Sequence, residues 1–246
     1  MKTIVRWLFS GLVLGLGGGL AAAAGSDVIT KVLVITGGHD FEREPFFKMF
    51  QENSGIKFQA VEHPRAFEHF KPAAAQQYDV VVLYDMWQEI PEDAREDFQR
   101  LLRQGKGLVA LHHCLASYQN WPEYEKIIGG KYYLEKQKIG DKEIPGSTYQ
   151  HDVRFTVRIA DQQHPITAGL SDFEIVDETY GGFGVLPGVQ KLLTTQETTS
   201  GPVIGWTWKY EKAKVVYMAL GHDHLAYENP NFRTLLARAI QWAAGK

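Results

Sequence analysis

A single cysteine, Cys114, stands in a chain of 246 residues, so no intramolecular disulfide can staple the fold and stability must come from a packed core. No run of Lys and Arg gathers on any segment and the formal charge is −3, whereas a nucleic-acid binder would carry a basic patch. Nucleic acid is not an expected partner. HExxH and paired CxxC signatures are absent, and Gly37-Gly38 has neither a P-loop lysine nor the G-x-G-x-x-G spacing, so no nucleotide cofactor is expected. The one long apolar run lies at the amino terminus. Lys2 and Arg6 precede Trp7 to Leu20, and the small residues Ala21 to Gly25 follow, with Ala22-Ala23-Ala24 supplying an A-x-A pattern. That run falls short of the roughly 20 residues that span a bilayer and reads as a secretory signal peptide over residues 1–24. The alternative is an uncleaved anchor. Cleavage would leave one domain over residues 25–246, exported, to the periplasm in a bacterium, with no stable membrane insertion.

What is present is a packed α/β pattern. Hydrophobic residues make up 44% and aromatics 12%, which suits a globular core and, in part, a sugar pocket, where aromatic faces offer apolar area beside polar handles. Apolar runs at Lys31–Thr36, Asp79–Leu83 and Gly107–Leu111 read as buried strands, and Lys57–Glu62 is a further strand candidate. Helical spacing spans Glu42–Asn53 and Pro91–Gln104, the second with Pro at its start, acids in its first turn and Gly105 after its end. Alternating strands and helices imply a mostly parallel sheet with right-handed crossovers. Further strands are expected at Arg154–Ile159, Val189–Thr194, Val203–Trp208 and Val215–Leu220, with a last helix over Pro230–Ala244 capped by Asn229. Between them, Gly129 to Thr148 reads as a long loop able to cover a pocket.

Ligands of open parallel sheets bind beyond the carboxyl ends of the strands, so the residues just after the strands carry the functional signal. Those residues are histidines. His39 and Asp40 follow the first strand, His112 and His113 the fourth, and His222 and Asp223 the last. Imidazoles gathered in a crevice suit a divalent metal of unspecified identity, and Asp40 or Asp223 can orient a ring or simply cap the next turn. Cys114 sits where a nucleophile would stand after a strand, but the bulky His112 and His113 before it fit a buried, inert thiol better. Two polar clusters, Tyr149-Gln150-His151-Asp152 before a strand and Asp177-Glu178-Thr179-Tyr180 after one, offer acid–base candidates in Glu178 and Tyr180, or ordinary polar turns. His164-Pro165 with Gly169 reads as a structural turn.

These motifs together resemble the ThuA-like, trehalose-utilisation family: VLVITGGHD, GLVALHH, Trp121-Pro122-Glu123-Tyr124, Ile128-Gly129-Gly130, HPITAGL, DETY, ALGHD and NPNFRTLLARAIQWAAG. The resemblance implies an α/β, flavodoxin-like sheet of the class I glutamine amidotransferase type, mostly parallel with helices on both faces, and lacking the amidotransferase catalytic set. It also implies a small-molecule carbohydrate partner. Some relatives cleave sugars already oxidised to a ketone at carbon 3, by elimination rather than hydrolysis. On that pattern His39, His113 and His222 take a metal or an enolate, His151 or Glu178 is the base, and Tyr180 assists the leaving group. Asp40, Trp121 and Asp177 are then substrate-binding candidates. Two other outcomes stay open: an amidotransferase-like module that binds a sugar or partner without catalysis, and a hydrolase using Cys114.

Overall fold

The computed structural model describes residues 29–246, and the expected leader at residues 1–24 lies outside the described residues. Strands β1 (Thr30–Gly37), β2 (Ile56–Glu62), β3 (Val80–Asp85) and β4 (Gly107–Leu111) follow the expected segments closely; β1, β3 and β4 bury most of their side chains, and β2, at the edge of the sheet, is half-buried to exposed. Helices α1 (Arg43–Gln51) and α2 (Glu92–Arg103) join them; α2 buries Ala94, Phe98, Leu101 and Leu102 on one stripe and keeps Glu92 and Asp93 in its first turn. A short helix, α3 (Pro122–Ile128), comes next and ends on the left-handed Gly129.

The stretch expected to be one irregular loop holds β5 (Gly130–Lys131) and the hairpin of β6 (Gln137–Ile139) with β7 (Lys142–Ile144). Strand β8 (Thr148–Ile159) begins earlier than its apolar pattern suggests, and β9 (Phe173–Gly181) absorbs the acidic cluster read as a turn. After β10 (Gly184–Val185) come β11 (Gln190–Thr194), β12 (Val203–Tyr210) and β13 (Ala213–Met218), then α4 (His224–Tyr227) and α5 (Pro230–Ala243). Asn229 caps α5 as expected, its side chain accepting from the Asn231 and Phe232 amides.

Nine strands form one sheet in the order β2-β1-β3-β4-β13-β12-β11-β8-β9. The first five run parallel and every later step is antiparallel, so only β12 and β8 oppose the rest and the sheet is mostly parallel by direction. This is the flavodoxin-like α/β architecture, with α5 packed on β1, β3, β4 and β13. The β8–β9 ribbon hangs from the sheet by the far end of β8, where Arg158 and Ile159 pair with β11. Its other end reaches the carboxyl ends of the parallel strands, and there the two halves of the molecule meet. Among the described residues no helix is long and apolar enough to cross a membrane.

Candidate active site

Strand β4 ends at Leu111, and the chain then turns sharply through His112, whose φ of 51° lies in a region that costs a residue with a Cβ roughly 1–2 kcal/mol. That strain is held in place by two bonds. His112 Nδ1 donates to the Ala219 carbonyl at 2.7 Å, and the Tyr217 hydroxyl donates to the His112 carbonyl at 2.9 Å. The remaining nitrogen, Nε2, therefore faces the crevice. It lies 3.0 Å from Glu178 Oε2, 3.3 Å from His222 Nδ1 and 2.8 Å from the Tyr180 hydroxyl.

His222 arrives from the turn after β13. Gly221, at φ 111°, allows the turn, and the Asp177 carboxylate clamps it by accepting from the Gly221 amide at 2.7 Å and the His222 amide at 2.9 Å. Tyr84 and Tyr227 secure the other side, donating to the Gly221 and His222 carbonyls at 2.8 Å each. From the ribbon, β9 supplies Asp177, Glu178 and Tyr180, while a register shift between Gln150 and Val153 in β8, with Asp152 at φ 57°, carries His151 to the same place. His151 Nδ1 sits 3.1 Å from His222 Nε2 and 3.3 Å from Glu178 Oε1.

Electrostatics divide these groups. Burial would push Glu178 up, yet the hydrogen bond and charge of His112, the Tyr180 hydroxyl and the charge of His222 hold it at about 2, so its carboxylate is ionised. Burial opposes charge on His112 too, but Glu178 and Asp177 outweigh it and raise that ring above its ordinary value. His222 is lowered by burial and by His112, and His113 is driven well below the usual histidine range by burial and by the imidazoles of His112, His39 and His222. Burial, partly offset by His112 and three backbone amides, leaves Asp177 at about 6. Tyr180, buried beside Glu178, keeps its proton.

His112 Nε2, Glu178 Oε2 and His222 Nδ1 form a donor set of the kind that holds a divalent cation. A tetrahedral ion with bonds near 2.1 Å needs ligand atoms about 3.4 Å apart. The three separations here are 3.0, 3.3 and 3.5 Å, so these residues fit such an ion. His151, touching both Glu178 and His222, stands where an orienting outer partner would stand.

Beside this group opens a cavity of about 380 Å³. His39, His113, His151, Glu178 and Tyr180 line one part of it, and Met86, Tyr132, Leu134 and Tyr149 form an apolar, largely aromatic wall. His39 is placed by Gly38, whose φ of 83° and close approach to the Met86 backbone leave no room for a Cβ. Its Nδ1 donates to the Asp40 carbonyl at 2.6 Å, which leaves Nε2 as the acceptor nitrogen.

Of the residues expected from sequence, His39, His113, His151, Glu178 and Tyr180 line the cavity, and His222 adjoins it through His151 and Glu178. The ligand-spaced group among the described residues is His112, Glu178 and His222, not the expected trio of His39, His113 and His222, and the turn after β4 sends His112 toward β9. Three substrate-binding candidates are placed elsewhere. Asp177 is buried with its oxygens taken by backbone amides, Trp121 packs in the core against Phe98, Tyr118 and Tyr124, and the exposed Asp40 does not line the cavity. Asp223 caps α4 by accepting from the Leu225 amide. Cys114 is fully buried, outside the cavity, and burial pushes its thiol well up, which removes support for a cysteine nucleophile. Sequence reasoning noted His112 and passed over it; no residue pattern announces a positive φ at that position.

Comparison with known proteins decides the family. The model for trehalose utilisation, ThuA, matches residues 31–243. The chain belongs to the ThuA family. A putative ThuA-like protein from Parabacteroides merdae shares 24% identity and a TM-score of 0.72 over 89% of this chain and 91% of its own. One from Bacteroides uniformis shares 18% and 0.67 over 90% and 94%. The β-galactosidase of Bacillus circulans sp. alkalophilus is similar in fold over 88% of this ThuA chain and 31% of its own, at 12% identity and a TM-score of 0.57. A search of the curated proteins finds no match.

Proposed function

We propose that this ThuA protein is a metal-assisted carbon–oxygen lyase that cleaves glycosides already oxidised to a ketone at carbon 3. One observation carries the reading: three ligand-spaced donor atoms of His112, Glu178 and His222 converge with His151 and Tyr180 at the edge of a cavity walled by Tyr132 and Tyr149. A family tied to trehalose utilisation supports a sugar as the ligand, and an aromatic wall suits the apolar face of a pyranose.

A divalent cation held by these three side chains would supply Lewis-acid stabilisation of the negative charge that develops on the ketone oxygen. Proton transfers fall to side chains with fixed tautomers. With Nδ1 of His39 committed to the Asp40 carbonyl, Nε2 is the ring nitrogen left to accept the acidified proton of carbon 2. With Nδ1 of His222 turned to the ligand set, its Nε2 proton is donated to His151 Nδ1, and the Nε2 proton of His151 is offered to the departing oxygen. The carbon 2–hydrogen and carbon 1–oxygen bonds break, and a carbon 1–carbon 2 double bond conjugated to the ketone remains beside the released alcohol. Glu178, ionised at about 2, is a weak base and serves better as ligand and as partner of His151. Tyr180 keeps its proton and can donate it in a hydrogen bond to the Glu178 carboxylate, since Nε2 of His112 is committed to the ligand set.

The test is ultraviolet detection of the conjugated enone from trehalose oxidised at carbon 3, with protein loaded with zinc, manganese, cobalt or nickel. Enone that forms with the loaded protein and not after chelation is the expected result. Failure of every loaded form to release enone would overturn the lyase reading.

A further inference from the structure

His113 differs from every other histidine around the cavity, because both of its ring nitrogens are buried and neither has a hydrogen-bond partner among the described residues. A neutral imidazole carries one donor and one acceptor, and leaving such groups buried and unpaired costs about 1–3 kcal/mol each. Native proteins tolerate that cost mainly where a ligand or a water supplies the partner. Nothing in the fold needs the ring's polarity. Its neighbours are the Tyr84 ring at 4.4 Å, the His112 ring at 5.4 Å and the His39 ring at 4.7 Å, all meeting it without a hydrogen bond, and a phenylalanine would pack there as well.

The His39 ring against it is lightly held. His39 is exposed, stands next to Gly38 at φ 83° on the turn after β1, and has one hydrogen bond among the described residues, to the carbonyl of its own neighbour Asp40. Both rings line the same cavity as Tyr132 and Tyr149. An apolar wall facing an unpaired donor–acceptor ring matches a ligand with apolar faces and hydroxyl edges.

We propose that His113 is a hydroxyl-binding residue: an uncharged polyhydroxy ligand shifts the His39 ring, which stays against it, and pairs with His113. The site then has two poles, the ligand-spaced trio for the reacting oxygen and His113 for a sugar hydroxyl away from it. This rests on the sugar reading of the cavity but not on elimination, so the two can fail separately.

Unoxidised trehalose is the probe, since it has the hydroxyls and lacks the ketone that elimination needs. Calorimetry on the metal-loaded full chain should give saturable binding in the parent, a Kd raised about tenfold in His113→Phe, corresponding to the loss of one good hydrogen bond, and partial recovery in His113→Gln. In the parent itself, the ring nitrogens of ¹⁵N-labelled His113 should shift on titration, a readout that needs no variant to fold. Equal affinity in His113→Phe, an unmoved His113 resonance, or no trehalose binding by the parent would each overturn the proposal. Trehalose binding that depends on His113 without enone from the oxidised sugar would sink the lyase reading alone. Enone formed by His113→Phe at the parental KM would sink the hydroxyl grip alone.

Discussion

The parallel strands β1, β3, β4 and β13 and the antiparallel β8–β9 ribbon contribute to the same cavity in opposite ways. The parallel half is a buried scaffold whose Val, Ile and Leu runs are nearly all inaccessible to solvent, and it presents histidines only where its strands stop. The ribbon carries its chemistry within the strands: Asp177, Glu178 and Tyr180 lie inside β9, and His151 inside a break in β8. One half holds, and the other aims. Changes in the scaffold should therefore cost stability first, and changes in the ribbon should cost activity out of proportion to stability.

Leu83→Ala, in the middle of β3, is the largest expected effect on folding: about 2–5 kcal/mol lost in denaturant unfolding, with enone formation per folded molecule unchanged. A similar loss of turnover below the unfolding transition would break the division between the halves. Asp177→Asn is next. The carboxylate serves the amides of Gly221, His222 and Glu178, and an amide side chain cannot accept from all three, so about 1–3 kcal/mol of stability should go. Because His222 loses its clamp, trehalose-derived enone should form about tenfold more slowly, in the range typical of outer partners of ligands. Smaller still is the effect at Asp152, whose φ of 57° fits Gly without strain. Asp152→Gly should keep activity, whereas Asp152→Val should lose about 1–2 kcal/mol and part of the turnover as His151 is re-aimed. Iodoacetamide at Cys114 should do nothing to the native protein, and rapid alkylation with loss of activity would revive the cysteine hydrolase.

The same division explains what could be read from the residues. Strands β1, β3 and β4 and helix α2 announce themselves because a strand buried on both faces is an unbroken apolar run and a surface helix shows one apolar stripe. Strand β9 hides, because Asp177, Glu178 and Thr179 are buried in it by partners from the turns after β4 and β13 and from the loop between β11 and β12, which lie away from it in the chain; locally the segment reads as a polar turn. Histidines after the strands were legible as a set, through topology alone. Which of the adjacent His112 and His113 faces Glu178 was not, since the answer depends on the backbone of one residue. Trp121 illustrates the opposite error: an aromatic suited to a sugar face is equally suited to the core, and Phe98, Tyr118 and Tyr124 claim it.

A cation shared by the two halves is the central claim, and elemental analysis of the purified protein after incubation with zinc, manganese, cobalt or nickel tests it most directly. The parent should hold one of these metals stoichiometrically, Glu178→Gln and His222→Ala should lose it, and His39→Ala should keep it. No metal in the parent after any incubation, or loss in His39→Ala with retention in Glu178→Gln, would contradict it.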